Sequence, residues 1–594
     1  MMAEAGKSVG EADAELSEAI DFANFYAHSI DELTATEELD AVVFEPHKLV
    51  VVTPPWNFPV AIAAGGVLAA LAAGSSVIIK PAPQVANCVL AMVDALWRAG
   101  IPKDVLQIAF VPDNELGLQL VGHRDVDAVT LTGAFETAQL FKSYKPKMQL
   151  AAETSGKNAI VITQNADLDI AAADLAKSAF GHAGQKCSAA SLGILVGSVY
   201  RNKQFLAQLV DAVQSMKVGY GSQADASIGP LIEEPSPKLL RALTTLEKGE
   251  TWLLEPKQLD DSGRLWRPGI KYGVKPGSFF QTTECFGPVL GLISAKNLTQ
   301  AIEIQNSTDY GLTAGIHSLD VAEIKTWTKQ IDAGNLYINR SITGAIVERQ
   351  PFGGLKRSSV GFGLKAGGRN YILQFGSFKD STEKFAGANQ YQIYSAEERI
   401  AKYIHEVELL MENNKAHLWL EMATASDRYW LHNLFNAELE PGDLVYEANY
   451  HRYLGNGCVV RVGATASKAE LARVVVALML TNHHEHWISV APDFLKYQDL
   501  TKEQLEVLTG GLRTIAEDEL EMKIKPGSRL ILVGAKEDRV RELEANPDLF
   551  VYGSTISKSG RVLLLTMYRE QSISITQHRY GALQSELVNV FKSK

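Results

Sequence analysis

The sequence predicts an α/β protein built on parallel sheets, and three observations carry that prediction. Short apolar runs alternate with amphipathic ones from residue 49 to about residue 345, the pattern of strand, helix, strand with helices covering the sheet faces. Glycine and proline punctuate the ends of the apolar runs, as in VVTPP and DAVTLTG. The alternation resumes beyond a polar stretch near residue 380, so a further α/β unit is expected there.

The elements follow in order. In residues 1–155 the strands are LVVVTP, SSVIIKPAP, DVLQIAF, DAVTLTG and MQLAAET. Helices lie between them, one from about 59 to 73 and one over VANCVLAMVDALWRAG. Ligands of such a sheet bind beyond the carboxyl ends of its strands. Residues 156–345 read as a second block, with strands at NAIVIT, SLGILVG and GNLYINR and helices over LDIAAADLAKSAF and RNKQFLAQLVDAVQSM. Residues 346–382 are a glycine-rich loop and a returning strand, YILQFGSF. KDSTEKFAGANQ then reads as a linker. Residues 383–594 form a C-terminal α/β domain, with helices over ELARVVVALML and KEQLEVLTGGLRTIAEDEL and strands at GCVVRVG, SRLILVG and RVLLLTM.

At 594 residues the chain is several times the ~100 to 200 residues of a typical domain. Its 46% hydrophobic and 21% charged residues are ordinary for a globular protein. With 57 basic and 69 acidic residues the net charge is −12. That disfavours nucleic-acid and anionic-membrane binding, since both need concentrated positive charge, and points to a small-molecule partner. The four cysteines, Cys88, Cys187, Cys285 and Cys458, form no CxxC pair. Neither a zinc ribbon nor a disulfide framework is expected, which fits a cytoplasmic protein, and the N-terminus lacks the apolar core of a signal peptide. Residues 49–79 carry no charge, yet Pro54, Pro55, Pro59, Gly65 and Gly66 break them up, so no membrane span is expected. HHEH at 483–486 lacks the HExxH spacing of a zinc helix and reads as a helix terminus; no metal site is expected.

The chemistry concentrates at three places. GHAGQKCSAAS, residues 181–191, sets Cys187 among small residues that let a substrate approach its sulfur. AAETSG places Glu153 at the end of an apolar run, and PPWNFP places Asn57 in a proline-bracketed loop. These supply a nucleophile, a base and an amide donor, a set suited to acyl or aldehyde chemistry. Cys88, Cys285 and Cys458 read as packing residues.

Seven motifs in order resemble the aldehyde dehydrogenase superfamily: PWNFP (55–59), IIKPAP (78–83), LTGAFETA (131–138), AETSGKNA (152–159), GQKCSA (184–189), ECFGPV (284–289) and PFGGLKRSSVG (351–361). EAIDFANFYA, AETSGKNA and SITGAIVERQPFGG look most like the L-glutamate γ-semialdehyde (1-pyrroline-5-carboxylate) dehydrogenases, which also form the second half of bifunctional proline utilization A proteins. MYREQSISITQHRYGAL (567–583) resembles the terminal motif of the longer members, whose extra domain is a degenerate aldehyde dehydrogenase-like fold.

The resemblance makes residues 1–155 a dinucleotide-binding domain and residues 156–345 a catalytic domain. It implies NAD(P)-dependent oxidation of L-glutamate γ-semialdehyde to L-glutamate through a cysteine thiohemiacetal and thioester. Cys187 is then the nucleophile, Asn57 an oxyanion donor and Glu153 the base that activates water. Trp56, Lys80, Pro83, Gly133, Glu284 and Phe286 fall at cofactor-binding positions, and Ser188, Gly344 and Ala345 at positions that anchor the substrate's aminocarboxylate. NAD is the expected cofactor; Pro83 stands where many members carry a glutamate on the ribose, which leaves NADP open. Ala134 replaces a common phosphate-binding serine. The chain also has less sequence before PWNFP than typical members, consistent with a piece of a longer bifunctional protein. An upstream proline dehydrogenase module is the partner implied, and the returning strand implies a homo-oligomer. The alternatives are another semialdehyde or aliphatic aldehyde dehydrogenase, or a non-catalytic assembly module.

Overall fold

The structure, a computed structural model, describes residues 1–34, 42–381, 397–411, 413–481, 483, 485–535, 539–588 and 590–591. Most of the expected linker therefore lies outside the described residues, as does part of the HHEH tetrad.

The first sheet has six strands in the spatial order Ser359–Val360, Gln149–Glu153, Ala128–Thr132, Leu49–Thr53, Ser76–Ile79 and Leu106–Ile108. All pair in parallel except the first, which runs antiparallel to Gln149–Glu153. Leu49–Thr53 opens the chain's path through this sheet yet lies inside it, so the loops after Thr53 and Thr132 leave neighbouring strands in opposite directions. That switch point is where an open α/β sheet receives a ligand. The helix Ala61–Ala72 covers the sheet at short range: a Cβ added to Gly66 would lie 2.9 Å from Cγ1 of Val52. The uncharged stretch 49–79 is thus strand, loop, helix and strand, and among the described residues no helix is long and apolar enough to cross a membrane.

The second sheet has nine strands, in the order Glu447–Gly455, Tyr568–Thr576, Asn335–Ile338, Thr313–His317, Asn158–Ile162, Ala190–Val196, Val289–Ala295, Gly269–Tyr272 and Thr251–Leu254. Its core strands are parallel, and Asn158–Ile162 at the centre is fully buried, the usual state of a sheet covered on both faces. The third sheet, Arg513–Thr514, Trp487–Val490, Cys458–Val462, Ser528–Val533 and Leu549–Tyr552, is all parallel. It repeats the first sheet's order, with the first strand in chain order at the centre.

Four expectations need correction. The segment from 383 onward is not self-contained, because Glu447–Gly455 and Tyr568–Thr576 join the second sheet, the latter pairing in parallel with Asn335–Ile338. YILQF is a 3₁₀ turn, Tyr371–Phe375. The strand begins at Gly376, runs to Asp380 and pairs with Val42–Pro46 of the same chain. RVLLLTM is not a strand: Gly560–Leu565 is a buried helix, started by Ser559, whose hydroxyl accepts from the Val562 amide. A short apolar run suits a buried helix as well as a buried strand. The helix expected over KEQLEVLTGGLRTIAEDEL spans only Lys502–Leu508, because Gly510 and Gly511 turn left-handed, at φ 59° and 69°.

Candidate active site

Cys187 lies in the loop between the helix Leu168–Phe180 and the strand Ala190–Val196. The loop is bent sharply: His182 and Ala183 have φ of 52° and 53°, a left-handed conformation that costs a non-glycine residue of order 1–3 kcal/mol and persists only where the surroundings impose it. Gly184 must be glycine, since a Cβ there would collide with the Gly287 carbonyl. Three amide side chains then hold the loop. Gln185 donates from Nε2 to the carbonyls of His182 (3.1 Å) and Pro230 (3.3 Å) and accepts from the Ile232 amide at 2.9 Å. Asn57 Nδ2 donates to the Gln185 carbonyl at 2.9 Å. Asn158 Nδ2 donates to the carbonyls of Cys187 (2.6 Å) and Ala189 (3.0 Å). A Cβ on Gly156 would come within 2.9 Å of the Cys187 carbonyl oxygen, which accounts for the glycine of the TSGKN motif.

Glu153 ends the strand Gln149–Glu153, at the carboxyl edge of the first sheet, and its carbonyl accepts from the Gly133 amide at 3.1 Å. Burial pushes its carboxyl up to about 7, against the field of Lys365, which pulls it down. Burial also raises the Cys187 thiol well above its ordinary value, and the carboxylates of Glu153 and Glu284 add to the rise. The resting thiol is therefore neutral near pH 7 and needs a base.

Two cavities meet at these two side chains. One is a long cleft at the switch point of the first sheet, lined by Trp56, Asn57, Lys80, Gly133, Glu284 and Phe286 together with Glu153 and Cys187. The other is lined by Ser188, Gly344 and Ala345, again with Glu153 and Cys187. Of the residues singled out from the sequence, Pro83 alone stays out: it is exposed at the start of a 3₁₀ turn, while its neighbours Ala82 and Gln84 line the cleft.

The cleft has the fittings for a dinucleotide. The N-terminal end of the helix Phe135–Tyr144 lines it, and a helix N-terminus favours an anion. The N-cap residue Ala134 makes no side-chain cap, while the Phe135 amide donates to Ser155 Oγ at 3.3 Å and the Thr137 amide to the Ala134 carbonyl at 3.0 Å. Lys80 is buried apart from its ion pair with the exposed Asp113. Trp56 and Phe286 meet edge to face at 5.6 Å, Phe286 holding a left-handed φ of 57°. Glu284 accepts from the Gly156 amide at 2.8 Å, and burial raises its carboxyl.

The second cavity includes residues that the sequence did not single out. Phe58 and Phe352 supply aromatic walls, and Glu18 and Phe22 enter from the long helix Val9–Thr34. Burial pushes the Glu18 carboxyl up to about 7, and neighbouring Glu15 contributes. Glu18 and Phe22 stand one turn apart in EAIDF, but a glutamate on an amphipathic helix is usually solvated, so the spacing alone did not mark it. The Gly344–Ala345 loop is held from behind by Gln350. This side chain accepts from the Ile346 amide (2.9 Å) and donates to Asn449 (2.5 Å) and Glu447 (2.9 Å) of the C-terminal segment.

Comparisons with known proteins agree with this geometry. The model of the aldehyde dehydrogenase family matches residues 1–380. A 1-pyrroline-5-carboxylate dehydrogenase of Bacillus licheniformis is 35% identical over 403 residues, 65% of this chain and 77% of that protein. Proline utilization A from Corynebacterium freiburgense superposes with a TM-score of 0.85 at 43% identity, covering 98% of this chain; the chain spans 55% of the length of that protein. A 1-pyrroline-5-carboxylate dehydrogenase from Thermus with bound NAD superposes with a TM-score of 0.59 at 31% identity, over 63% of this chain and 75% of that one.

Proposed function

We propose, from the premise that this chain belongs to the aldehyde dehydrogenase family, that it oxidises L-glutamate γ-semialdehyde to L-glutamate with NAD as hydride acceptor. The observation that carries the reading is the shared wall: Cys187 and Glu153 line both the dinucleotide cleft and the cavity containing Ser188, Gly344 and Ala345. Relatives named as 1-pyrroline-5-carboxylate dehydrogenases, and a neighbour of that name with bound NAD, support the substrate and the cofactor.

In this reading the Cys187 thiol passes its proton to solvent water as its sulfur attacks the aldehyde carbon, forming a thiohemiacetal oxyanion. Asn57 keeps one Nδ2 proton on the Gln185 carbonyl and offers the other, with the Cys187 amide, to the developing oxyanion. NAD, when bound in the cleft, supplies the hydride acceptor that converts the thiohemiacetal on Cys187 into a thioester. Glu153 then takes a proton from water and the hydroxide adds to the thioester carbon. The adduct collapses with its hydroxyl proton passing to sulfur, so that the carboxylate product leaves, the Cys187 thiol is restored and Glu153 returns its proton to solvent. Ser188 and the amides of Gly344 and Ala345 hold the aminocarboxylate end of the substrate. Lys80, Gly133, Glu284, Phe286 and Trp56 hold the dinucleotide. Pro83 supplies no carboxylate to exclude a 2′-phosphate, so NADP is the second cofactor to test.

The compartment belonging to this reading is the cytoplasm, which four unpaired cysteines fit. An upstream proline dehydrogenase module is the proposed partner, supported by the proline utilization A neighbours that extend beyond this chain. Homo-oligomerisation stays in the proposal through a surface other than the paired edge of Gly376–Asp380, since Val42–Pro46 already occupies that edge.

The test is aldehyde-dependent NADH formation by the purified chain, with L-glutamate γ-semialdehyde and either cofactor. Turnover that disappears in Cys187→Ala supports the reading, and its absence with both cofactors overturns it. A kcat/KM for short aliphatic aldehydes equal to that for the semialdehyde would favour a general aldehyde dehydrogenase, because an aminocarboxylate anchor creates a large preference. Alkylation of Cys187 no faster than that of the other cysteines, with no cofactor binding, would favour an assembly module.

A further inference from the structure

Behind the wall that carries Glu153 lies a buried charge cluster that the mechanism above does not use. Lys365 is 1% exposed. Its ammonium donates to Asn335 Oδ1 (2.8 Å) and to the Gly353 carbonyl (2.6 Å), and Gly353 lines the same cavity as Glu153. Among the described residues no carboxylate bonds that ammonium directly. Its backbone amide instead donates to Glu570 Oε2 at 2.9 Å, and Glu570 lies on the C-terminal strand Tyr568–Thr576, inside the REQSISIT motif. Glu570 is itself 3% exposed. Asn370 Nδ2 donates to its Oε1 at 2.5 Å and the His451 ring lies at 3.3 Å, while Asn370 also bonds Tyr453 and Arg561.

A buried lysine without a partner carboxylate is costly unless something compensates its charge. Here two carboxylates lie in its surroundings: Glu570, bonded to its own backbone amide, and Glu153, which lines the same cavity as the Gly353 that accepts from the ammonium. Burial drives the Lys365 ammonium down to about 7, and the fields of Glu570 and Glu153 both oppose that drop. Burial works against ionisation of Glu570, yet the hydrogen bonds from His451, Asn370 and the Lys365 amide outweigh it and hold the carboxyl below its ordinary range. Among the described residues Cys187 and Tyr371 also feel Glu153, and Tyr453 and Arg529 also feel Glu570.

We infer that Lys365 is a positioning residue for Glu153, its ammonium stabilising the carboxylate form of the base, and that Glu570 of the C-terminal strand keeps that ammonium charged. The C-terminal segment thereby reaches the hydrolytic step without touching substrate. The inference rests on Glu153 as the base proposed above and extends it to the residues that tune it.

The test is a pH titration of the Glu153 carboxylate by infrared difference spectroscopy on the full chain, the band being identified by its loss in Glu153→Gln. Lys365→Met and the isosteric Glu570→Gln are each expected to move the midpoint upward by about one unit, and Lys365→Arg to leave it in place. The acid limb of the kcat profile should move with it. A midpoint unmoved or lowered in either variant overturns the inference, and Glu570→Gln decides alone if Lys365→Met does not fold. This readout needs neither aldehyde nor turnover. A chain that oxidises no semialdehyde therefore fails the reading above while the midpoint still decides the role of Lys365.

Discussion

Asn57 reaches from the loop after the first strand of the cofactor sheet to the Gln185 carbonyl, 2.9 Å away, and so ties the dinucleotide half of the molecule to the loop that carries Cys187. The bond fixes one amide proton and orients the other. Asn57→Ala would remove the proposed oxyanion donor and loosen the loop together. It is expected to lower kcat by about 10²- to 10³-fold with the fold intact by circular dichroism. Steady-state kinetics check this, and a loss below about threefold would separate Asn57 from the oxyanion.

The Glu153 carboxyl sits near 7 because it is buried, and the deacylating form is the ionised one. kcat is therefore expected to fall as the pH drops through about 7, and Glu153→Gln to stall after a single burst of NADH. Stopped-flow traces of the variant check both, since a normal steady state after the burst would assign the water-activating proton elsewhere.

The same burial has a stability consequence of definite sign. A carboxyl raised from 4.5 to about 7 on folding favours the folded state fully below the unfolded value, and that contribution is lost as the pH rises through the folded value. At pH 8 the ionised group costs up to about 3 kcal/mol. Glu153→Gln should then melt above the parent at pH 8 and close to it at pH 4. Thermal melts at the two values test this, and the opposite order would contradict the burial argument.

Gly156 leaves no room for a side chain, with the Cys187 carbonyl oxygen 2.9 Å and Asn158 Oδ1 3.0 Å from the place its Cβ would take. The first is backbone of the Cys187 loop, and the second belongs to the Asn158 side chain that holds that loop. Gly156→Ala is expected to destabilise the chain by about 1–3 kcal/mol and to reduce kcat by displacing Cys187. Denaturant melts and kinetics measure the two effects.

Gln350 couples the Gly344–Ala345 loop to Asn449 and Glu447. Gln350→Ala should raise KM for glutamate semialdehyde several-fold while leaving kcat/KM for short aldehydes nearly unchanged, because only the former uses the anchor. Equal effects on both substrate types would place the damage in the catalytic loop instead.

What the sequence disclosed was what is local. Cys187, Glu153 and Asn57 sit in short motifs that the fold brings to one cleft, and the strands near them follow simple alternation. Glu18 and Lys365 were not legible, because a helix glutamate and a lysine in a glycine-rich loop look like solvated charges until tertiary packing buries them. The pairing of Tyr568–Thr576 with Asn335–Ile338 spans more of the chain than any periodicity can report. Gly560–Leu565 was read as a strand because six buried residues in a row lack the alternation that separates helix from strand.

The most direct measurement is the intact mass and peptide map of Glu153→Gln after incubation with L-glutamate γ-semialdehyde and NAD. The account predicts a covalent acyl adduct on the peptide containing Cys187, formed together with one equivalent of NADH. An adduct on Cys88, Cys285 or Cys458, or NADH formed with no adduct at all, would contradict it.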